Sequence, residues 1–441
     1  MEADWTIEPT AAKERLNYPL LLVTLYLWAL ITTPQNRFEF LGAIQFEKII
    51  MAACWAALAL TGRLRPKATV GTFLLILFYG ALFMSFLFSP YSGYAAALHW
   101  KETYWKLIVL YFLILFSVDS MRDAVQLIAG QVIVLFLYEA QSWLDYIRGG
   151  SYVYQQGMRR IIGLWSGGGI GAGNAFGSMA LMGIPFGMLW YSKTKSSKIK
   201  KLLLFFFIMS AASIVYSGTR GAFLGLLFLV LMVLAYRKKK ARLFIGLILL
   251  VVSFAAFAPP YLKHRYLDQM TFNYKQFGGD QALDKSAAED AEGRIQGLED
   301  GWRMFLKRPV FGYGPGASPI ARQEVRSDAP SVNGEGQVFM QLHNFYGQIL
   351  SESGIIGTGL FVLILARYFA QTRKLKVRDS FETGQSTIQF GRFLSLSIML
   401  LLFYGFASHL LYDYNWLILF ALCDALSVAA WREKGMERLP A

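Results

Sequence analysis

The sequence has few charged residues and almost no cysteine. Only 16% of its 441 residues are Asp, Glu, Lys or Arg, whereas 55% are hydrophobic, including 16% that are aromatic. Together with a mean hydropathy of +0.40, this composition excludes a water-soluble globular protein. We therefore expect an integral membrane protein.

The two cysteines, Cys54 and Cys423, both lie inside apolar runs. A disulfide framework or a zinc cluster requires more cysteines at closer spacing, so the sequence indicates neither. The net charge of +14 is typical of a nucleic-acid-binding protein, but most of the basic residues lie in short loops between apolar runs. That distribution indicates membrane topology instead, and we expect no nucleic-acid partner.

The apolar runs predict about twelve transmembrane helices, because a span needs roughly 20 apolar residues. The first run is expected to be an uncleaved anchor, since no small-residue cleavage signal follows it. The predicted spans are 18–34, 40–60, 68–88, 104–118, 124–145, 173–192, 201–217, 220–236, 241–258, 344–369, 393–411 and 414–431.

The basic clusters fall in alternate loops, which the positive-inside rule places in the cytoplasm together with both termini. These clusters are Lys13 and Arg15, Arg63 to Lys67, Lys193 to Lys201, Arg237 to Arg242, and Arg373 to Arg378. The opposite, outer side then holds the 146–172 loop, the "SGTRG" turn at 217–221 and the long 259–343 segment. The chain is accordingly divided into helices 1–9 (1–258), an outer loop with amphipathic helices (259–343), and helices 10–12 with a cytoplasmic end (344–441).

Ionisable residues gather at the outer face, where positive charge is normally depleted. Such residues at membrane depth are costly and usually face a cavity or one another. They are Arg148, Arg159, Arg160, Arg220, Arg294, His343, His409, Glu139, Asp145, Glu352 and Asp413.

The outer loop is expected to contain a helix that stops at Pro309. Ile295, Leu298, Trp302 and Leu306 recur at three- and four-residue steps, so one apolar face is expected to lie on the membrane surface or on the bundle. The acidic stretch before it, 280–292, is expected to be mobile.

Glycines are frequent in "WSGGGIGAGNAFG" (165–177), in "GYGPG" (312–316) and after His343. None of these stretches has the strand, loop and helix setting of a nucleotide-binding loop. Close helix packing and tight turns explain them better.

His343 and Asn344 fall at the start of a predicted membrane helix, where free N–H groups favour an anion and disfavour a protonated imidazole. A neutral imidazole there is suited to accept a proton. Arg220 is placed to contact an anionic headgroup, since the guanidinium fork binds phosphate oxygens in pairs. A capping or packing role for the histidine, and contact of each arginine with lipid headgroups, remain open alternatives.

The stretch "HNFYGQILSESGIIGT" resembles the signature of the O-antigen ligase and polymerase superfamily: His, a small polar residue, nine residues, Gly-x-x-Gly and a small residue. His343, Asn344, Gly354, Gly357 and Thr358 match it. "SGTRGAFLGL" (217–226) and "GRIQGLEDGWRMFLKRPVFGYGPG" (293–316) resemble the Arg-Gly turn and loop helix of the family. The likeness covers roughly residues 160–411.

The resemblance implies a cofactor-independent, metal-independent, inverting glycosyltransferase of GT-C-like all-α membrane architecture in the bacterial inner membrane. It would take a glycan from undecaprenyl diphosphate and transfer it to lipid A–core at the periplasmic face, among membrane lipids. The sequence agrees with metal independence, because no Asp-x-Asp pair occurs in a predicted outer loop. His343 would be the general base, with Arg220 and Arg294 on the diphosphate. Weaker candidates for substrate contact are Arg159, Arg160 and Asn344, and the four acids named above are candidates for orienting these groups.

Other functions are compatible with the sequence. A polysaccharide polymerase or a protein O-oligosaccharyltransferase of the same superfamily differs only in its acceptor. A secondary transporter also suits about twelve spans, but it is expected to show repeated halves and ionisable residues near the middle of the bilayer. We find no obvious repeats and expect no charges at mid-membrane.

Overall fold

In the computed structural model of the protein, most of the described residues are helical. They are residues 17–36, 38–65, 67, 69–93, 104–155, 158–164, 172–236, 266, 281–326, 341–377 and 384–432. One antiparallel hairpin pairs β1 (Tyr152–Gln155) with β2 (Met158–Ile161). The prediction of an all-α membrane protein is confirmed, with this short hairpin as an addition.

The helices are α1 (Tyr18–Thr32), α2 (Glu39–Ala43), α3 (Phe46–Leu60), α4 (Val70–Leu87), α5 (Trp105–Ser117), α6 (Met121–Ile147), α7 (Ala172–Lys193), α8 (Ser197–Tyr216), α9 (Arg220–Tyr236), α10 (Gln281–Lys307), α11 (Ser318–Ala321), α12 (Phe345–Val377), α13 (Gly384–Gly405) and α14 (Tyr414–Arg432). Side-chain oxygens that accept a backbone N–H cap several of their first turns, which would otherwise leave donors unpaired. The capping residues are Asn17, Thr69, Ser120 and Ser196.

Most predicted spans coincide with helices, but two need correction. The predicted span 40–60 is divided into α2 and α3 at Gln45, whose φ is 51°. The span predicted at 393–411 lies on a helix that begins earlier and ends at Gly405. The span predicted at 241–258 lies outside the described residues.

Five described helices are long and apolar enough to cross a membrane: α4, α6, α8, α12 and α13. Four more apolar helices, α1, α5, α9 and α14, are shorter. The count of about twelve spans therefore remains a prediction.

The outside of the bundle is apolar. Phe73 on α4, Ile208 on α8 and Val362 on α12 are 61%, 69% and 56% exposed. Soluble proteins rarely expose apolar surface on so many elements, whereas lipid chains solvate it at no cost. These faces are therefore the ones that lipid covers.

The centre of the bundle is α14, which packs against α5 and is buried over most of its length. Trp416, Phe420 and Leu422 are each at most 1% exposed. The carboxylate of Asp424, halfway along this helix, accepts hydrogen bonds from the hydroxyls of Tyr111 and Tyr368. The expectation of no ionisable residue at mid-span is therefore wrong for Asp424.

The helix that follows His343 is interrupted, where a continuous span was predicted. At Gly354 the backbone has φ 61° and ψ −163°, which ends one helical segment of α12 and starts another. The freed backbone groups pair with the segment after α10. Ile355 N–H donates to the carbonyl of Pro309 at 2.7 Å, and the N–H of Tyr313 donates to the carbonyl of Ser351 at 2.8 Å.

The helix predicted in the outer loop is α10, and it begins earlier than expected. It runs from Gln281, so the acidic stretch that was expected to be mobile is its first part. The predicted apolar face points away from the protein: Ile295 is 65% exposed and Leu306 is 60% exposed. This favours the membrane surface over the bundle as the partner of that face.

Glycines bring α10 against the first segment of α12. A Cβ at Gly297 would lie 1.8 Å from the Leu342 carbonyl oxygen, and one at Gly301 would lie 2.4 Å from the Cα of Gly347. Close packing was expected for the glycines after His343, and it is confirmed for Gly347. In contrast, Gly359 meets no atom within 4 Å among the described residues outside its own helix backbone.

Replacing Gly354 by alanine is expected to lower the thermal unfolding temperature of the detergent-solubilised protein. A Cβ would lie 2.4 Å from the Val310 carbonyl oxygen, in a backbone conformation that L-residues rarely adopt. Strain of this kind costs about 1–3 kcal/mol. The matched control is Gly359→Ala, which should leave the unfolding temperature unchanged. Equal unfolding temperatures for the two variants would contradict the interrupted helix.

Candidate active site

A cavity of about 650 Å³ lies where the ends of several helices meet. Its wall combines apolar side chains such as Ile31, Phe176 and Met179 with a larger set of polar ones. The polar side chains include those of Asn174, Ser178, Thr219, Arg294, His343, Tyr404, His409 and Asp413. Two of the residues expected to be catalytic, His343 and Arg294, therefore line the same space.

His343 stands just before α12 with a φ of 49°. A positive φ is uncommon for a residue with a side chain and points to a constrained position. The capping function that was an alternative for His343 belongs to its neighbour, because Asn344 Oδ1 accepts the N–H of Gly347 at 3.0 Å. His343 is thus held at the cavity wall by the turn that starts the helix.

Asn344 also joins three elements around the cavity. Its Nδ2 donates to the carbonyl of Arg294 on α10 at 3.4 Å and to that of Phe406, after α13, at 3.5 Å. Asn344 is 3% exposed, and it is not among the residues that line the cavity. Its contacts therefore place His343, Arg294 and the 406–413 loop around one space, and do not aim its own amide at a ligand.

The 406–413 loop contributes His409 and Asp413. The rings of His343 and His409 lie with their centroids 5.3 Å apart. Asp413 Oδ1 accepts the backbone N–H and the side-chain Nδ2 of Asn415, each at 2.8 Å. Desolvation by the surrounding protein raises the pKa of the Asp413 carboxyl, and the two hydrogen bonds from Asn415 oppose that rise.

Tyr404 connects the two sides of the cavity. It lies on α13 and lines the cavity together with Arg294 and Asp413. The cationic and anionic side chains of the wall are therefore close to one phenol.

Glu352 acts at the helix interruption, outside the cavity. Its carboxylate accepts the N–H of Gly316 at 2.9 Å and the hydroxyl of Ser318 at 2.5 Å. It also accepts the hydroxyl of Tyr412, in the loop that carries His409 and Asp413. Glu352 thereby ties the "GYGPG" turn to that loop, which supports an indirect orienting role.

The other acids named from the sequence accept hydrogen bonds from residues outside the cavity wall. Glu139 is fully buried and accepts the hydroxyls of Ser210 and Ser213, each at 3.0 Å. Asp145 accepts the hydroxyl of Ser151 at 2.5 Å. Of the four acids, only Asp413 lines the cavity.

Arg220 is the first residue of α9 and is 6% exposed. Its neighbours Thr219 and Gly221 line the cavity, whereas Arg220 does not. The N-terminus of α9, with the positive end of its helix dipole, therefore lies beside this region. Arg220 itself is not among the residues of the cavity wall.

Arg159 and Arg160 have different surroundings. The Arg159 guanidinium stacks between Tyr146 and Tyr152, 4.5 and 4.2 Å from the ring centroids. It also donates to the Tyr146 carbonyl at 2.7 Å. Arg160 is 2% exposed and donates to Ser217, Gln155 and Asn174. Neither arginine is among the residues of the cavity wall.

The glycine stretches serve close approach and turns, as expected. In "GYGPG" all three glycines have positive φ, of 73°, 96° and 73°. A Cβ at Gly177 would lie 2.4 Å from Ser217 Oγ. Residues 165–171 lie outside the described residues.

Sequence reasoning assigned no role to several residues of the wall. His409 was recognised only as an outer histidine, and Asn174, Ser178 and Tyr404 carried no signal, because single polar residues in apolar helices are common. The motif that begins at His343 does not extend to the loop after α13. The contacts of Asn344 join the loop to His343, and the shared cavity wall adds Asn174, Ser178 and Tyr404.

Residues 202–362 match the family model described as O-antigen ligase. The matched segment contains Arg220, Arg294, His343 and the interruption of α12, but not the 406–413 loop. A search of curated proteins found no match to the chain. The match confirms the resemblance of this chain to the O-antigen ligase superfamily.

Proposed function

We propose that this protein is an O-antigen ligase, which transfers a glycan from undecaprenyl diphosphate to a sugar hydroxyl of lipid A–core. The observation that carries the proposal is that His343 and Arg294 line one cavity in a chain whose residues 202–362 match the O-antigen ligase family. A base and a cation in one site are what a displacement of a diphosphate from a sugar requires.

The reaction is a single displacement at the anomeric carbon. His343 accepts the proton of the acceptor hydroxyl as its oxygen bonds to that carbon. The bond to the diphosphate oxygen breaks, and the electron pair leaves with the diphosphate. Because attack and departure occur on opposite faces of the carbon, the configuration is inverted. His409, whose ring lies 5.3 Å from that of His343 between centroids, orients the imidazole.

Cationic groups stabilise the departing diphosphate without a metal ion. Arg294 at the cavity wall provides direct contact, because its fork pairs with phosphate oxygens. Arg220 acts with the N-terminus of α9, whose free N–H groups favour an anion. Arg220 is 6% exposed, so it contributes its charge through the wall or moves a short distance on binding.

The nearest alternatives differ in the acceptor. A polysaccharide polymerase would use a second lipid-linked glycan, and a protein O-oligosaccharyltransferase would use a serine or threonine hydroxyl. The same base and cations serve all three reactions. The ligase is preferred because the matched family model is described as O-antigen ligase.

A secondary transporter is less well supported. Transporters often have an acidic residue halfway along a membrane helix, as Asp424 is here. The carboxylate of Asp424, however, is hydrogen-bonded to Tyr111 and Tyr368 between packed helices. It is fully buried and does not line the cavity. A transporter is expected to place such a group where substrate can reach it.

The transfer reaction tests the assigned residues directly. His343→Ala, Arg294→Ala and Arg220→Ala are each expected to lower the rate of glycan transfer at least about 100-fold, the usual effect of losing a general base or a charge-stabilising donor. The rate is measured with purified full-length protein, a lipid-linked glycan and lipid A–core.

The control is Arg148→Ala, since Arg148 is an exposed arginine at the end of α6 and outside the cavity. It should retain the wild-type rate, and all four variants should insert at normal levels. Full activity in the His343 variant would rule out its function as the base.

We also propose that the cavity opens to the periplasm of the bacterial inner membrane, in a GT-C-like fold with about twelve spans and both termini in the cytoplasm. Arg148 lies on the predicted outer side and Lys195 on the inner side, and both are exposed. The native cysteines are buried, so new ones can be labelled selectively.

A membrane-impermeant thiol reagent is applied to cells whose outer membrane admits it and whose inner membrane is intact. It is expected to label Arg148→Cys and to spare Lys195→Cys. Permeabilising the inner membrane should expose both cysteines to the reagent. The reverse pattern of labelling would overturn the orientation.

A further inference from the structure

The guanidinium of Arg160 is held from three directions. Nε donates to the Ser217 carbonyl at 2.5 Å, Nη2 donates to Asn174 Oδ1 at 2.7 Å, and Nη1 donates to Gln155 Oε1. The residue is 2% exposed. A buried arginine that makes these three hydrogen bonds cannot reach a ligand in the cavity unless the bonds break.

Two glycines make room for this guanidinium. A Cβ at Gly173 would lie 2.9 Å from Arg160 Nη2, and a Cβ at Gly218 would lie 3.1 Å from Arg160 Nε. Gly218 has a φ of 65° and belongs to the "SGTRG" turn. Arg160 therefore braces the first turn of α7 against the turn that precedes α9.

Asn174 is the residue through which this brace reaches the cavity. It lies in the first turn of α7 and lines the cavity, whereas Arg160 does not. Its Oδ1 accepts from Arg160, and the hydroxyl of Thr219 is within 3.3 Å of the same oxygen. A guanidinium only donates, so the bond fixes which end of the amide faces Arg160. The Nδ2 group is then the end of the amide that is left to donate.

We infer that Asn174 donates a hydrogen bond from Nδ2 to an oxygen of the lipid-linked glycan donor bound in the cavity, and that Arg160 is the positioning residue that orients this amide. The inference rests on the proposed function and deepens it. Arg160 was expected from the sequence to contact substrate, and the geometry gives it the indirect role.

The ligand atom is an acceptor oxygen of the diphosphate or of the first sugar. Both are rich in acceptors, and the wall around Asn174 is suited to them. Thr219 lies on the same wall, and the N-terminus of α9 follows it directly. A neutral amide adds a directed donor to this region without adding a charge.

The decisive variant is Asn174→Asp. A carboxylate keeps the shape and still accepts from Arg160, so a purely structural role of Asn174 would survive the change. It removes the hydrogen-bond donor at Nδ2 but also adds a negative charge, so Asn174→Ala, which adds no charge, is measured beside it. Binding of the lipid-linked glycan should weaken about tenfold or more in both variants, as for loss of a hydrogen bond to a charged or polar group.

The experiment measures the dissociation constants of undecaprenyl diphosphate and of its glycan-bearing form, using full-length protein in nanodiscs. Loss of affinity for both lipids assigns the contact to the diphosphate. Loss for the glycan-bearing form alone assigns it to the sugar. Wild-type affinity of Asn174→Asp for both lipids would overturn the inference.

A double-variant cycle tests the function of Arg160. Arg160→Lys keeps the charge and the fold but loses the planar fork, so it should weaken binding in the wild-type background. In the Asn174→Ala background it should have no further effect, because its action passes through that amide. If the double variant raises the dissociation constant by the product of the two single effects, Arg160 acts on the ligand by itself. That result would overturn its positioning role.

A kinetic measurement separates this inference from the function it rests on. In glycan transfer, Asn174→Asp should raise KM for the donor lipid while kcat stays within about a factor of two, because a contact made equally in ground and transition states changes KM alone. Wild-type protein that binds the lipid but transfers no glycan would contradict the proposed function, and the binding cycle would still decide the role of Asn174. Wild-type protein that binds neither lipid would contradict both.

Discussion

The interruption of α12 at Gly354 is the constraint on which the arrangement around the cavity depends. A regular helix would satisfy its own N–H and carbonyl groups, but here those groups bind the segment that follows α10. Such irregular backbone is tolerated at membrane depth only where protein covers it. Because that segment is held, α10 lies close against the first part of α12 and Arg294 comes to the cavity with His343.

Three polar residues around the cavity act by holding other groups. Asn344 joins the start of α12 to α10 and to the 406–413 loop. Glu352 joins the "GYGPG" turn to the same loop through Tyr412. Arg160 braces the starts of α7 and α9. Each side chain is at most 3% exposed, so water does not compete for the hydrogen bonds of these three residues.

The class of membrane protein, most helices and the residues of the motif could be predicted from the sequence. Both the length of an apolar run and a short local motif are visible along a single chain. The break at Gly354 was missed, since glycine is tolerated in membrane helices and the break depends on partners at Pro309 to Tyr313. The burial of Arg160 was missed because the space for it comes from Gly173 and Gly218. His409 and Asn174 belong to the site only through contacts between distant elements.

The central claim is that this cavity passes a lipid-linked glycan to lipid A–core. The most direct measurement offers purified protein an undecaprenyl-diphosphate glycan together with lipid A–core and a second lipid-linked glycan, and identifies which molecule gains sugar. The account predicts that lipid A–core gains the glycan, with inversion at the anomeric carbon. Extension of the second lipid-linked glycan alone, or retention of the anomeric configuration, would contradict it.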